Sequence, residues 1–260
     1  MPHLAAVLPT YNEAENLPLI ISALFALSLD DFHILIVDDN SPDGTGRLAD
    51  DLAAQDRRIN VLHRPQKQGL GPAYINGFKK VLADGAEFVL QMDSDFSHQP
   101  KYIPVMLDRI RENDLVIGSR YVPGGKVDAT WGIHRELLSR FANQWYIQAI
   151  LNFPVSDATA GYRLWRNQTL IGMGLDRIKS NGYVFQIEMA YVAYRLGYRI
   201  AEIPIYFPNR TQGVSKMSIN IALEAASRVW QVRARHRKLN RDMRQGEHAR
   251  GVEISRQTRN

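Results

Sequence analysis

Asp93, Ser94 and Asp95 place two carboxylates two residues apart, at the end of the apolar run AEFVLQM. Carboxylates so spaced can converge on one hard divalent cation, and such a cation can grip a diphosphate. Aspartates also form turns and cap helices, but an apolar run has no structural reason to end in two like charges that repel when unpaired. A second acidic group, DDNSPDG at residues 38–44, follows another apolar run. Asp38 and Asp39 there can accept hydrogen bonds from a base or ribose, or cap the helix that follows. Further along stand cations, most of them without acidic neighbours in sequence: Arg120, Arg135, Arg163, Arg210 and Lys216. Arginine forks suit phosphate oxygens and lysine adds a point charge. Any one of these most often makes a surface ion pair, whereas several on loops around one cleft would make a polyphosphate site. His98 and His134 read as solvent-exposed or capping residues.

These groups need a frame to hold them. Short apolar runs at residues 4–8, 32–37, 59–62, 88–92 and 115–117 alternate with stretches of helical periodicity. That alternation predicts parallel strands joined by crossover helices, an α/β layered fold. Asn12, then Ser41 or Asp43, then Ser97 with Pro100 supply helix starts. Ligands of open α/β sheets bind beyond the carboxyl ends of strands. The polar residues 9–13, 38–43 and 93–95 fall at such ends, so they are expected in one cleft. After Tyr121 comes a long Gly- and Pro-containing loop, of a length that usually means function or mobility. A helix over 133–151, a helix over 183–196, a strand over 198–203 and a final helix follow. On the last helix Ile221, Ala225, Val229 and Val232 share a face, with Ala222 and Trp230 beside them, before the cationic RARHRKLNRDMR. This suits an anionic membrane surface or a partner helix, and equally a packed helix with a soluble tail.

Composition removes several chemistries. Among 260 residues there is no cysteine, which excludes a disulfide, a thiol nucleophile and a thiolate metal site, and makes a reducing cytoplasm the default. The first strand is followed by PTYNEAEN rather than G-x-G-x-x-G, Gly69 and Gly71 lack a third glycine, and no P-loop motif occurs. The longest apolar stretch, residues 17–29, is interrupted by Pro18 and falls short of the roughly 20 residues that cross a bilayer. The N-terminus lacks the basic segment of a secretory signal and reads as mature protein. The net charge of +5 resides at one end: residues 228–260 hold ten basic and three acidic side chains, leaving residues 1–227 slightly acidic. That tail could bind a polyanion, but groove-reading motifs are absent and no nucleic-acid partner is expected.

The motifs PTYNEAENL, LIVDDNSPDGT, QGLGPAY, MDSDFSH, GSRYVPGG, SDATAGYR and FPNRTQGVSKMS, in this order, resemble the catalytic domain of polyprenol-phosphate (dolichol-phosphate) mannose synthases, within the family 2 glycosyltransferases. The resemblance implies a GT-A fold: α/β, a mostly parallel central sheet flanked by helices, a single catalytic domain over residues 1–227 with a C-terminal helix, then a basic helix end and tail over 228–260. It implies inverting transfer of mannose from GDP-mannose to a polyprenyl phosphate; a glucosyltransferase using UDP-glucose is the nearest alternative. By motif, Pro9, Tyr11, Glu13, Asp38, Asp39, Asp93, Ser94 and Asp95 would hold the nucleotide sugar. Asp93 and Asp95 would bind Mg²⁺ or Mn²⁺, and Asp95, Arg120, Arg210 and Lys216 would serve catalysis. Arg120, Arg135 and Ser139 would contact the acceptor phosphate, under a flap formed by residues 122–132. Some relatives have a glutamine metal ligand where this chain has Ser97. Many relatives append membrane spans, in place of which this chain has its C-terminal helix and basic tail or a separate membrane-anchoring subunit. The implied location is the cytoplasmic face of a membrane.

Overall fold

The computed structural model describes residues 4–130, 132–208 and 219–246, without the side chains of 133–135 and 219–226. The chain runs β1 (Leu4–Thr10), α1 (Leu17–Phe25), β2 (Phe32–Asp38), α2 (Thr45–Gln55), β3 (Ile59–His63), α3 (Leu70–Ala83), β4 (Phe88–Gln91), α4 (Ile103–Arg109) and β5 (Leu115–Ser119). It continues through β6 (Lys126–Val127), α5 (Ile133–Phe141), α6 (Gln148–Leu151), β7 (Arg163–Arg166), α7 (Asn167–Met173), α8 (Gly182–Arg195), β8 (Ile200–Pro204), β9 (Tyr206–Phe207) and α9 (Ile219–His236).

The main sheet has the order β3-β2-β1-β4-β7-β5-β8. All its neighbours are parallel except β7, which runs antiparallel to both β4 and β5. Parallel strands are buried on both faces and so read as continuous apolar runs, which is why LAAVLPT and FHILIVD were legible. Alternate residues feed two cores. Ala5, Val7, Leu35, Val37, Val89 and Trp165 pack with α3 and α8 on one face. Ala6, Leu8, Ile34, Ile36, Leu90 and Leu164 pack with α1 and α4 on the other. Gly77 lets α3 lie close on the sheet, since a Cβ there would come within 2.4 Å of Val7 Cγ1.

The antiparallel strand β7 was not expected. Four residues, RLWR, with a charge at each end carry no periodic signal. Its insertion sets β4 and β5 two strand spacings apart, about 10 Å, so that Asp93 and Arg120 lie at the carboxyl edge on either side of the segment that enters β7. Helix starts also differ. Asn12 adopts φ +61°, which no helix accommodates, so α1 begins at Leu17 after Asn16. Asp43 rather than Ser41 leads α2, with Oδ1 accepting from Thr45 N at 3.0 Å and from the Thr45 hydroxyl at 2.6 Å. Ser97 caps no helix; a 3₁₀ turn at Pro100–Tyr102 leads into α4. The expected helix over 133–151 is α5 and α6 joined by a π-helical turn, Ala142–Ile147. Helix α9 crosses residue 227, and its Val229 and Val232 are buried in the core. The proposed division at 227/228 therefore falls within one packed element.

Candidate active site

Because β1, β2, β4 and β5 point the same way, their carboxyl ends share one edge. At the first end Pro9 and Tyr11 are half-buried, and Lys67 Nζ lies 3.4 Å from the Tyr11 ring centroid. Glu13 Oε2 accepts from Asn16 Nδ2 at 2.8 Å, and the Glu13 amide donates to the Thr45 hydroxyl at 2.9 Å. The loop after β1 is thereby tied to the start of α2.

At the second end both aspartates are buried and busy. Asp38 accepts from the Ser41 hydroxyl at 2.6 Å, the Ser41 amide at 3.2 Å and the Thr10 hydroxyl at 3.3 Å. Asp39 pairs with buried Arg64 and accepts from the amides of Gln68 and Gly69, both at 3.2 Å. Asp39 thus holds the QGLG segment that starts α3. Asn181, before α8, grips the same segment from the far side, accepting from Gly71 N at 3.0 Å and donating to Gln68 O at 2.8 Å.

Beyond β4 lies the acidic turn. Asp93 Oδ1 accepts from the Tyr74 hydroxyl at 3.0 Å. Burial, and then the charge and hydrogen bond of Asp93, push the Tyr74 phenol well above its ordinary pKa, so it remains a donor. Ser94 and Asp95 are buried. Asp95 Oδ1 accepts from the Ser97 hydroxyl at 2.5 Å and the Ser97 amide at 3.0 Å. Ser97, fully buried, therefore orients Asp95. His98 is buried too, which corrects the solvent-exposed reading: its Nδ1 accepts from the Asp93 backbone amide at 2.8 Å.

Two carboxylates held in one turn fit a hard divalent cation. Asp93 Oδ2 has no protein donor among the described residues, so it is available to such an ion. Among those residues no group of three or more His, Asp or Glu could hold a metal by itself. The turn suits an ion whose remaining oxygens come from a diphosphate and water, as Mg²⁺ sites commonly do.

Beyond β5, Arg120 has a partner the sequence did not reveal. Its Nε and Nη2 fork onto Asp157 at 2.7 and 2.6 Å, and Nη2 also donates to Thr159 at 2.8 Å. Burial works to lower its pKa, but the Asp157 charge and hydrogen bonds outweigh it and hold the guanidinium above its ordinary value. Asp157 is in turn set by Glu202 of β8, which accepts the amides of Ser156 and Asp157 at 2.7 and 2.9 Å. Arg163, grouped above with the cleft cations, is fully buried instead; Nε donates to Ala160 O and Nη2 to Ala158 O, each at 2.9 Å. Burial without a bonded carboxylate lowers its pKa to about 9, so it is still a cation at neutral pH.

Ser139 on α5 shares a 2.5 Å hydrogen bond with the Tyr121 hydroxyl, just beyond β5. Arg135 lies in the first turn of α5, with its side chain outside the described residues; Arg210 and Lys216 fall outside them altogether. The expected flap is partly pinned: β6 pairs with β9, and Asp128 Oδ2 accepts from the Tyr206 hydroxyl at 2.7 Å. Phe207, at the end of β9, meets the Arg120 guanidinium 5.3 Å from its ring centroid. Asp157, Thr159, Tyr74 and Asn181 were missed because their roles rest on partners 19 to 110 residues away, which no local pattern records.

An open, mostly parallel sheet with acidic turns and a buried arginine pair along its carboxyl edge is the frame of a transferase of GT-A type. The chain belongs to Glycosyl transferase family 2, whose sequence profile matches residues 5–170. It is 47% identical over 231 residues to the undecaprenyl-phosphate mannosyltransferase of Micrococcus luteus, covering 88% of this chain and 94% of that one. It is 45% identical over 233 residues to the polyprenol monophosphomannose synthase of Mycolicibacterium smegmatis, covering 88% and 87%. In fold it is similar to glucosyl-3-phosphoglycerate synthase from Mycobacterium tuberculosis, solved with Mn²⁺, uridine diphosphate and phosphoglyceric acid, at TM-score 0.62, 17% identity, and 90% and 78% coverage.

Proposed function

We propose that this chain transfers mannose from GDP-mannose to a polyprenyl phosphate, with inversion at the anomeric carbon, at the cytoplasmic face of a membrane. The observation that carries this reading is the placement of an acidic turn, Asp93 to Asp95, after β4 and of the cation Arg120 after β5, at the same edge of the sheet on either side of β7, in a chain nearly half identical to two polyprenyl-phosphate mannosyltransferases.

The nucleophile is a phosphate monoester, anionic at neutral pH with a second pKa near 6, so no general base is needed. An acceptor phosphate oxygen bonds to the anomeric carbon as the bond to the nucleoside diphosphate breaks, and the electron pair leaves with the diphosphate. Mg²⁺ or Mn²⁺, held by Asp93 and Asp95, would neutralise that leaving group when bound. Tyr74 and Ser97 keep the two carboxylates aimed. Tyr11 and Glu13, with Asp38 and Asp39 supporting their loops, face the nucleotide. Arg120 Nη1, the guanidinium nitrogen not given to Asp157 or Thr159, together with Ser139, Arg135, Arg210 and Lys216, would offset the repulsion between two anions.

Access to a lipid needs a membrane-facing surface. No helix of the described residues is long and apolar enough to cross a bilayer. Helix α9 spends Val229 and Val232 on its own core. Trp230 of α9 is exposed, and among the described residues a run of exposed apolar side chains lies on α5 and the π-helical turn, where Leu137 (60%), Leu138 (52%), Phe141 (58%) and Trp145 (71%) recur at helical spacing on the helix that carries Ser139. Each such side chain gains roughly 1.5–3 kcal/mol when fully removed from water, and an aromatic-containing ridge suits the interface of a bilayer. Purified protein offered labelled GDP-mannose and labelled UDP-glucose with polyprenyl phosphate and Mg²⁺ or Mn²⁺ should label the lipid from GDP-mannose. Label from UDP-glucose alone would overturn the donor assignment.

A further inference from the structure

We infer that His98 is a positioning residue for the metal-binding turn, and that the hydrogen bond from the Asp93 amide to its Nδ1 sets the metal affinity of the site. The inference rests on reading Asp93 and Asp95 as the carboxylates that hold the divalent ion.

The backbone amide of Asp93 faces the inside of its own turn, and its donation to His98 Nδ1 at 2.8 Å closes residues 93–98 into a loop. Asp95 is bound within that loop through Ser97. The position of both carboxylates therefore depends on where the imidazole stands. The ring is held on several sides. It stacks on Tyr162, with centroids 5.0 Å apart and planes inclined by 15°, and it meets Phe207 edge-on at 5.8 Å and 67°. A Cβ at position 161 would lie 3.3 Å from its Cε1, so Gly161 leaves the space the ring uses. Tyr162 is itself fixed by donation to Gln99 O at 3.0 Å. An imidazole so clamped and buried presents one lone pair to one amide. It carries its proton on Nε2, because Nδ1 accepts.

Groups that orient metal ligands without touching the metal typically change metal affinity 10- to 100-fold when removed. His98 has that relation to Asp93.

Two substitutions separate the acceptor from the ring. His98→Phe keeps a stacked ring and loses the acceptor; His98→Asn keeps an acceptor at the δ position and loses the ring. The readout is the affinity for GDP measured with and without Mn²⁺. In the wild type Mn²⁺ should tighten GDP binding. In His98→Phe that tightening should shrink tenfold or more while metal-free GDP affinity stays the same. In His98→Asn it should be largely retained. A wild type whose GDP affinity ignores Mn²⁺ would sink the metal reading itself. If the wild type responds and His98→Phe responds equally, or if both variants lose equally, His98 only fills space and the inference fails. Should His98→Phe not fold, nitrogen NMR of the wild-type imidazole decides: an Nε2–H tautomer supports the inference and an Nδ1–H tautomer overturns it.

Discussion

Asp95 and Arg120 stand beyond the ends of β4 and β5, and their surroundings suit opposite tasks. Asp95 is buried and aimed by Ser97, as a carboxylate that is to hold a cation must be. Asp95→Asn is therefore expected to lower divalent-dependent turnover at least about a hundredfold while leaving the melting transition cooperative, because a neutral amide removes the charge a hard cation requires. Activity that persists in the presence of a chelator would contradict this. Arg120 is spent differently, forked onto buried Asp157. Removing one partner of a buried pair leaves an uncompensated charge, so Asp157→Asn should cost about 3–5 kcal/mol in denaturant unfolding. It should also reduce turnover by releasing Arg120 from its place at the end of β5. Unchanged stability would mean that the pair is not closed in solution. The acidic half of this chemistry was legible, because two aspartates ending an apolar run violate local pattern. The Arg120–Asp157 pair was not, because its two members lie 37 residues apart.

Among the elements, the parallel strands announced themselves through unbroken apolar runs, whereas β7 did not. Its residues owe their strand conformation to β4 and β5 on either side, a tertiary cause that four residues cannot encode. Helix α9 shows the converse. Its apolar spacing was read correctly as amphipathic, yet sequence could not say whether protein or lipid covers the apolar face; burial of Val229 and Val232 assigns that part of it to protein. Under the proposed function the exposed stripe on α5 is the element expected to meet lipid. Replacing Leu137, Phe141 and Trp145 together by serine should weaken binding to anionic lipid vesicles by roughly tenfold or more, on the basis of the apolar area withdrawn from water. Transfer to a short-chain, water-soluble prenyl phosphate should change by less than about threefold, since all three side chains are exposed. Equal vesicle binding by wild type and variant in a flotation assay would remove the stripe from membrane docking.

Across the whole molecule, a buried junction ties the end of the chain back to the nucleotide side. Glu188 of α8 is fully buried and accepts from the amides of Lys179 and Ser180 and from Arg235 and His236 of α9. Its neighbour in that connection, Asn181, holds the segment that starts α3. Burial alone would raise the Glu188 carboxyl, but the hydrogen bonds from His236, Ser180 and Lys179 bring it down to about 2. A depressed acid stabilises the fold above its unfolded value, near 4.5, and that contribution is lost as pH falls from there towards 2. The acid limb of stability should therefore be shallower in Glu188→Gln than in the wild type between those pH values, with the variant less stable at neutral pH. Identical pH profiles would show that Glu188 carries no such linkage.

The account as a whole requires that sugar move from a nucleotide to a lipid phosphate in one displacement. The most direct measurement is NMR of the product formed by the purified chain from GDP-mannose, polyprenyl phosphate and Mn²⁺. A new mannosyl phosphodiester whose anomeric configuration is opposite to that of the donor is the expected result. Mannose released to water, or a product that keeps the donor's configuration, would contradict it.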